Sequence, residues 1–169
     1  MSTHLTAQEL RRKWKAANAE PVDGSRRLDA YRELAECCPA FVPNLLSLSR
    51  TSLLGREQAP EPAARVDEAE RALRTAVDVS AGAPEPLIEL GRFLAMARTS
   101  PVDAEAAFAS AASAALSLLE EAWAGWIHAL GQQDKLDAAL EVADQARRIL
   151  PDSAAISRAV DEAQRRASR

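Results

Sequence analysis

The sequence predicts an all-α protein built from helical hairpins in series. Hydrophobic residues make up 47% of the 169-residue chain but are mostly Ala and Leu, and only 4% of the chain is aromatic. Ala is the best helix former, and its small side chain lets helices approach closely. Gly and Pro recur at short intervals, as expected of helix ends. No segment alternates polar and apolar residues for long enough to predict a strand.

Four helices are predicted in the first half of the chain. Thr6 and Glu9 form a capping-box pattern, so the first helix is expected to begin there. Pro and Gly in residues 20–24 predict a turn, and Pro39 is expected to stop the second helix. Residues 56–62 contain two prolines and predict a loop. The expected helices span about residues 6–19, 25–38, 41–54 and 63–80.

Five helices are predicted in the second half. Ser100 and Pro101 match an N-cap followed by Pro at the first helical position. Asp134 is the expected N-cap of the eighth helix, and Asp152 or Ser153 that of the ninth. The expected helices span about residues 84–98, 101–116, 119–130, 134–150 and 154–167, which gives about nine helices in all.

One repeated unit is clear near the end of the chain, within residues 123–151. Its first helix carries large apolar residues on one face, its second carries mostly small ones, and Pro ends it. The residues concerned are Trp123, Trp126, Leu130, Leu136, Ala139, Ala143, Ala146 and Pro151. We expect both tryptophans to lie in the core. Small residues let the two helices of a hairpin touch, and large residues fill the gap to the next hairpin.

In type and order these residues resemble the tetratricopeptide repeat (TPR) pattern, with two departures, Ile127 at a small position and Ala143 at an aromatic one. Earlier units match it through further apolar and small residues. These are Trp14, Tyr31, Leu34 and Pro39, then Leu45, Leu48, Ser49, Ala69, Leu73 and Ala76, then Leu87, Leu90, Gly91, Leu94, Ala104, Phe108 and Ala111.

The resemblance implies a right-handed superhelical stack of three to four degenerate repeats, a TPR-like α-solenoid. The repeats are expected at about 6–40, 41–83, 84–118 and 119–152. A polar capping helix is expected at 153–167, within one domain of residues 6–167 that follows a flexible tail, 1–5. A helical bundle without repeats is the alternative.

No catalytic, cofactor or metal site is predicted. Cys37 and Cys38 are adjacent, so they are poorly placed for a disulfide or a shared metal ion, and we expect them to fill core space. The only histidines are His4 and His128. Residues 57–120 hold eleven acidic against five basic residues, which disfavours nucleic acid. With no secretory or membrane-spanning segment apparent, we expect a cytoplasmic protein.

Candidate binding residues follow from the TPR resemblance, which places function on the concave groove lined by the first helix of each pair. The matching groove positions hold Arg50, Arg92, His128, Glu89, Met96, Gln132, Arg12 and Lys13. A row of Arg50, Arg92 and His128 would suit an acidic peptide through charge-assisted hydrogen bonds. The alternative is that these are separate exposed residues, each paired with a nearby acid.

The function expected from the sequence is that of a non-enzymatic adaptor or assembly factor, which holds a peptide or helix of a partner protein in its groove. Two alternatives stay open. One is a structural module that associates with its own copy or with a larger complex, and the other is a regulatory subunit of an enzyme.

Overall fold

A computed structural model describes residues 5–21, 25–54 and 62–168. These residues form helices and connections, with no strand among them. The eight helices are α1 (Ala7–Ala19), α2 (Ser25–Cys37), α3 (Val42–Leu54), α4 (Pro62–Val79), α5 (Pro84–Met96), α6 (Pro101–Gln132), α7 (Leu136–Arg147) and α8 (Ala154–Ala167). The all-α prediction is confirmed. Most of the predicted tail, turn and loop lie at residues 1–4, 22–24 and 55–61, outside the described part.

Two of the N-caps predicted from the sequence, Thr6 and Ser153, cap their helices in the structure. Thr6 accepts the Glu9 backbone N–H, and the Glu9 carboxylate accepts the Thr6 backbone N–H at 2.8 Å, which completes the capping box. Ser153 accepts the Ile156 backbone N–H at 3.1 Å and caps α8. Asp134 does not cap α7: it has φ 57°, and Lys135 is the N-cap residue. Asp134 serves instead as a left-handed turn residue, a conformation that Asp tolerates.

The predicted sixth and seventh helices form one helix, α6, which is 32 residues long. The turn predicted at residues 117–118 is absent because the sequence between Pro101 and Gly125 contains no Gly or Pro. Its Ala, Leu and Glu residues are good helix formers that continue the helix. By length and composition Pro101–Gly131 could also cross a membrane, with a mean hydropathy of 1.3.

The chain divides into two compact units, Met1–Ala112 and Ser113–Arg169. In the first unit consecutive helices from α1 to α5 pack in pairs, and α3 also contacts α5. Leu45, Leu46, Leu73 and Phe93 are among its core residues, together with small residues such as Ala69. Contacts between neighbouring helices and between alternate ones are those expected of stacked helical hairpins.

One charged contact ties three helices of the first unit together. The Arg32 guanidinium on α2 binds the Glu68 carboxylate on α4 through two hydrogen bonds of 2.6 and 2.8 Å. The Ser52 hydroxyl on α3 donates to the same carboxylate at 3.1 Å. The Arg32 hydrogen bonds are the main reason that the pKa of Glu68 lies below its ordinary value.

The second unit has a core made of its own residues. Ile127 on α6, Ala143 on α7 and Ile156 on α8 are each fully buried. Trp123 lies partly buried against them, whereas Trp126 keeps 52% of its surface exposed. The expectation that both tryptophans lie in the core is therefore wrong for Trp126. The inward face of α6 here carries Trp123, Ile127 and Leu130, at helical spacing, and Trp126 points away from it.

Candidate functional site

Helix α3 leaves a narrow strip of its surface exposed because seven of its residues are buried. The strip follows a spacing of four, three and four residues, which is one face of a helix. Its members are Pro43, Ser47, Arg50 and Leu54, of which Ser47 is half-buried and Leu54 is 54% exposed. This face is where α3 can meet another molecule.

Helix α5 has a matching strip. Glu85, Arg92 and Met96 are exposed on one face, and Glu89 lies between them with its side chain only 17% exposed. Met96 is 82% exposed, although its side chain is long and apolar. The structure thus places three of the predicted binding residues, Glu89, Arg92 and Met96, on one side of one helix.

The two strips meet at a shared carboxylate. Arg50 Nη2 and Arg92 Nη1 each lie 3.0 Å from Oε1 of Glu89. The hydrogen bond to Glu89 is the main reason that the pKa of Arg50 is raised, and the nearby charge of Glu85 acts in the same direction. Glu89 thus brings Arg50 and Arg92 together and pairs with both of them, and their role in binding a partner stays a prediction. We call Arg50, Glu89 and Arg92 the α3–α5 cluster.

The α3–α5 cluster keeps the capacity to bind an anion. Each guanidinium has five donors, and the arginine side chains remain 54% and 62% exposed. Glu89 and the nearby Glu85 together balance the two positive charges, so a further carboxylate would be held by the remaining N–H donors at the exposed side. Planar guanidinium groups suit bidentate contacts with carboxylates.

His128 and Gln132 lie in the second unit, where they contact each other. His128 Nδ1 is 3.4 Å from Oε2 of Glu162, and its Nε2 is 2.8 Å from Nε2 of Gln132. Both ring nitrogens therefore have partners within the unit. The proposed alignment of His128 with Arg50 and Arg92 stays a prediction.

Arg12 and Lys13 lie on α1. Lys13 Nζ contacts Oε1 of Glu33 on α2 at 2.6 Å, which raises the pKa of Lys13. Beside this contact is a groove of about 220 Å³ between α1 and α2. That volume is below the roughly 300 Å³ at which small-molecule sites begin. The groove supports a surface contact better than an enclosed ligand site.

The cysteines differ from the expectation that they fill the core. Cys37 is exposed, Cys38 is half-buried, and both are free thiols at the end of α2. Within the described residues no group of three or more His, Cys, Asp or Glu side chains is placed to hold a metal ion.

A second groove lies wholly in the second unit and was not predicted. It has a volume of about 420 Å³ between α6 and the connection from α7 to α8. Leu116, Ile149 and Pro151 give it an apolar rim, and Glu120 accepts the Ser153 hydroxyl at one side. The groove escaped prediction because Leu116 and Ser117 were assigned to a helix end and a turn.

The comparisons with known proteins agree with the fold. The model of a family described as the Myxococcota tetratricopeptide repeat protein family matches residues 2–81. A Myxococcus xanthus protein, named "Uncharacterized 18.1 kDa protein in carS 3'region", is 67% identical over 160 residues, which cover 95% of this chain and 94% of that protein. Together with the stacked helical hairpins of the first unit, these matches show that the chain belongs to the tetratricopeptide-repeat family of the Myxococcota.

Proposed function

We propose that this protein is a non-enzymatic adaptor of the cytoplasm, which binds a segment of a partner protein on the exposed strips of α3 and α5. The observation that carries the proposal is the α3–α5 cluster. Two exposed guanidinium groups share one largely covered carboxylate, on the helices that form the first members of their pairs. First helices line the concave surface of a TPR stack, and such surfaces bind extended or helical peptides.

The chemistry of the strips indicates the kind of segment. An acidic side chain of the partner would take the free donors of Arg50 and Arg92, next to Glu89. Leu54 and Met96, each more than half exposed, end their respective strips and offer apolar contacts. A segment that combines an acidic residue with apolar ones would therefore satisfy both parts of the surface.

Affinity purification from native cells tests the proposal when three forms of the protein are compared by quantitative mass spectrometry. The test form carries Arg50→Ala and Arg92→Ala. The control form carries Arg71→Ala and Arg74→Ala, which removes the same charge from exposed positions of α4. Proteins retained by the native and control forms but lost from the test form are the expected partners.

The affinity of a captured partner segment is then measured by calorimetry. The test form should bind at least tenfold more weakly, the control form should bind as the native protein does, and added salt should weaken binding because it screens charges. Single exposed ion pairs are weak, roughly 0–1 kcal/mol, which is why both arginines are replaced together. Equal affinity of the test and native forms would refute binding on this surface.

A further inference from the structure

In the second unit α6 carries a broad apolar face that stays exposed. Leu118, Leu119 and Trp126 are 55%, 37% and 52% exposed on this face. Between them runs a line of exposed alanines at seven-residue intervals, Ala115, Ala122 and Ala129. Large apolar residues exposed together on one helix mark an interaction surface, since a single exposed Leu or Trp is unremarkable but a contiguous patch is not.

Gly125 lies on the same face, and no neighbouring atom of the single chain requires a glycine there. A Cβ atom added at Gly131 would lie 2.8 Å from the Ala163 Cβ, and one added at Gly91 would lie 2.8 Å from the Phe108 ring. Those two glycines allow helices to pack closely. A Cβ at Gly125 would meet nothing within 4 Å. Gly in a helix interior is less favourable than Ala, so its presence here suits a side chain that arrives from another molecule.

We propose that this face pairs with the same face of a second copy, with the two α6 helices antiparallel and the two-fold axis at Ala122. Heptad spacing fixes which residues meet. Ala122 then lies against Ala122 of the second copy, and Ala115 lies opposite Ala129 of the second copy. Leu118 lies beside Gly125 of the second copy, and Leu119 beside Trp126 of the second copy.

We assign a second copy to this face because its large and small residues fit each other when two copies meet. The antiparallel arrangement places the large Leu118 side chain over the open surface of Gly125, and it does so twice because of the symmetry. A parallel pair would instead align Leu118 with Leu118 and Gly125 with Gly125, which leaves one crowded layer and one empty layer. Interfaces and cores pack best where large residues face small ones.

The centre of the face carries no charge. Glu121 is exposed at its margin, beside Leu118 and Gly125, where solvent screens it, and Glu120 turns away to accept the Ser153 hydroxyl. Antiparallel helices also oppose their macrodipoles favourably. Residues 113–131, which lie symmetrically about Ala122 within the second unit, span about 27 Å at 1.5 Å per residue. A contact of this length lies at the small end of specific interfaces, so we expect dissociation in the micromolar range.

Sedimentation equilibrium of the full chain, between about 1 and 500 µM, is the first test. All forms carry Cys37→Ser and Cys38→Ser, because both thiols are free. The expected result is a monomer–dimer equilibrium that Gly125→Leu weakens at least tenfold, because the new side chain would occupy the space of Leu118 of the second copy. The single chain has room for this side chain, so the variant should fold, which circular dichroism verifies. Glu141→Leu places the same side chain at an exposed position of α7, away from this face, and should leave the equilibrium unchanged.

Disulfide formation tests the two-fold axis directly. Ala122→Cys in the same background should form a covalent dimer under mild oxidation, because the two sulfur atoms would lie within bonding reach. Glu141→Cys, at the exposed position of α7, should cross-link at least tenfold more slowly. A monomer at every concentration, or equal cross-linking of the two variants, would overturn the proposal. Binding of monomers to vesicles of phosphatidylethanolamine and phosphatidylglycerol would also overturn it, since it would identify lipid as the occupant. A negative result in these tests would not argue against binding at the exposed strips of α3 and α5, because those strips lie in the first unit.

Discussion

At the scale of single residues, the Glu68 carboxylate links three helices of the first unit through its hydrogen bonds. It has three donors from two helices, and its side chain is only 19% exposed. Neither Arg32 nor Glu68 stands out in the sequence, because a pair 36 residues apart is brought together only when α2 and α4 both pack against α3. By contrast, Arg50, Glu89 and Arg92 could be selected beforehand, since they occupy groove positions of successive repeats.

The Glu68 contact predicts a pH dependence of stability. The hydrogen bonds from Arg32 hold the pKa of Glu68 below 4.5, its ordinary value. A carboxyl whose folded-state pKa is lowered stabilises the fold above its unfolded pKa, and this stabilisation disappears as the pH falls through the folded value. We expect Glu68→Gln to lower the free energy of unfolding by about 1–2 kcal/mol at pH 7, as loss of a charged hydrogen bond does.

Urea unfolding of both forms between pH 7 and pH 3 measures this effect. The difference between native protein and Glu68→Gln should shrink as the pH falls below about 4.5, because the Glu68 carboxyl is protonated first in the unfolded chain and, at lower pH, in the folded protein. Asp78→Asn serves as the control, because Asp78 is an exposed carboxylate of the same helix and its loss should change stability by less than about 0.5 kcal/mol. If the difference in the free energy of unfolding stayed constant over this range, the charge of Glu68 would not contribute to stability.

At the scale of elements, most helices could be predicted from local signals. Capping residues, Gly and Pro locate helix ends because they satisfy or remove backbone hydrogen bonds within one turn. Thr6 and Ser153 act as predicted. The error at residues 117–118 arose from the repeat pattern, which requires a turn there, whereas the local sequence of Ala, Ser and Leu has no residue that ends a helix.

The continuity of α6 makes Ser117 a sensitive position. Ser117→Pro would remove a backbone hydrogen bond and clash with the preceding turn, at a cost of about 3 kcal/mol or more. We expect it to lower both the melting temperature and the helical signal at 222 nm. Ser117→Ala, at the same exposed position, should preserve or slightly raise both, since Ala is the better helix former. If the Pro variant melted like the native protein, residues 117–118 would form the turn that the repeat pattern requires.

At the scale of the whole molecule, stability is distributed over separate cores. In repeat proteins each unit packs only on its neighbours, so stability is approximately a sum of local contributions. The cluster around Ile127, Ala143 and Ile156 consists of residues from the second unit, and the cluster around Leu45 and Phe93 of residues from the first. The sequence predicted the hairpins that form these cores, because packing between consecutive helices is encoded in helical periodicity. It did not predict the division at Ser113, which falls inside α6, a helix that the repeat pattern had divided in two.

Hydrogen exchange of two variants at one core position, Ile156, can show whether the two units lose stability separately. Ile156 is fully buried, so Ile156→Ala should lower the stability of its surroundings by about 2–5 kcal/mol, whereas Ile156→Val should lower it by about 0.5–1.5 kcal/mol. Because Ile156 belongs to the core that α6, α7 and α8 share, we expect amide exchange to accelerate throughout Leu136–Arg147 and Ala154–Ala167. Helix α3 draws its burial from α2, α4 and α5, so its amides should keep their native protection in both variants. Equal acceleration in Val42–Leu54 and in α8 would instead show that the chain unfolds as one cooperative unit, and the additive description of its stability would then be wrong.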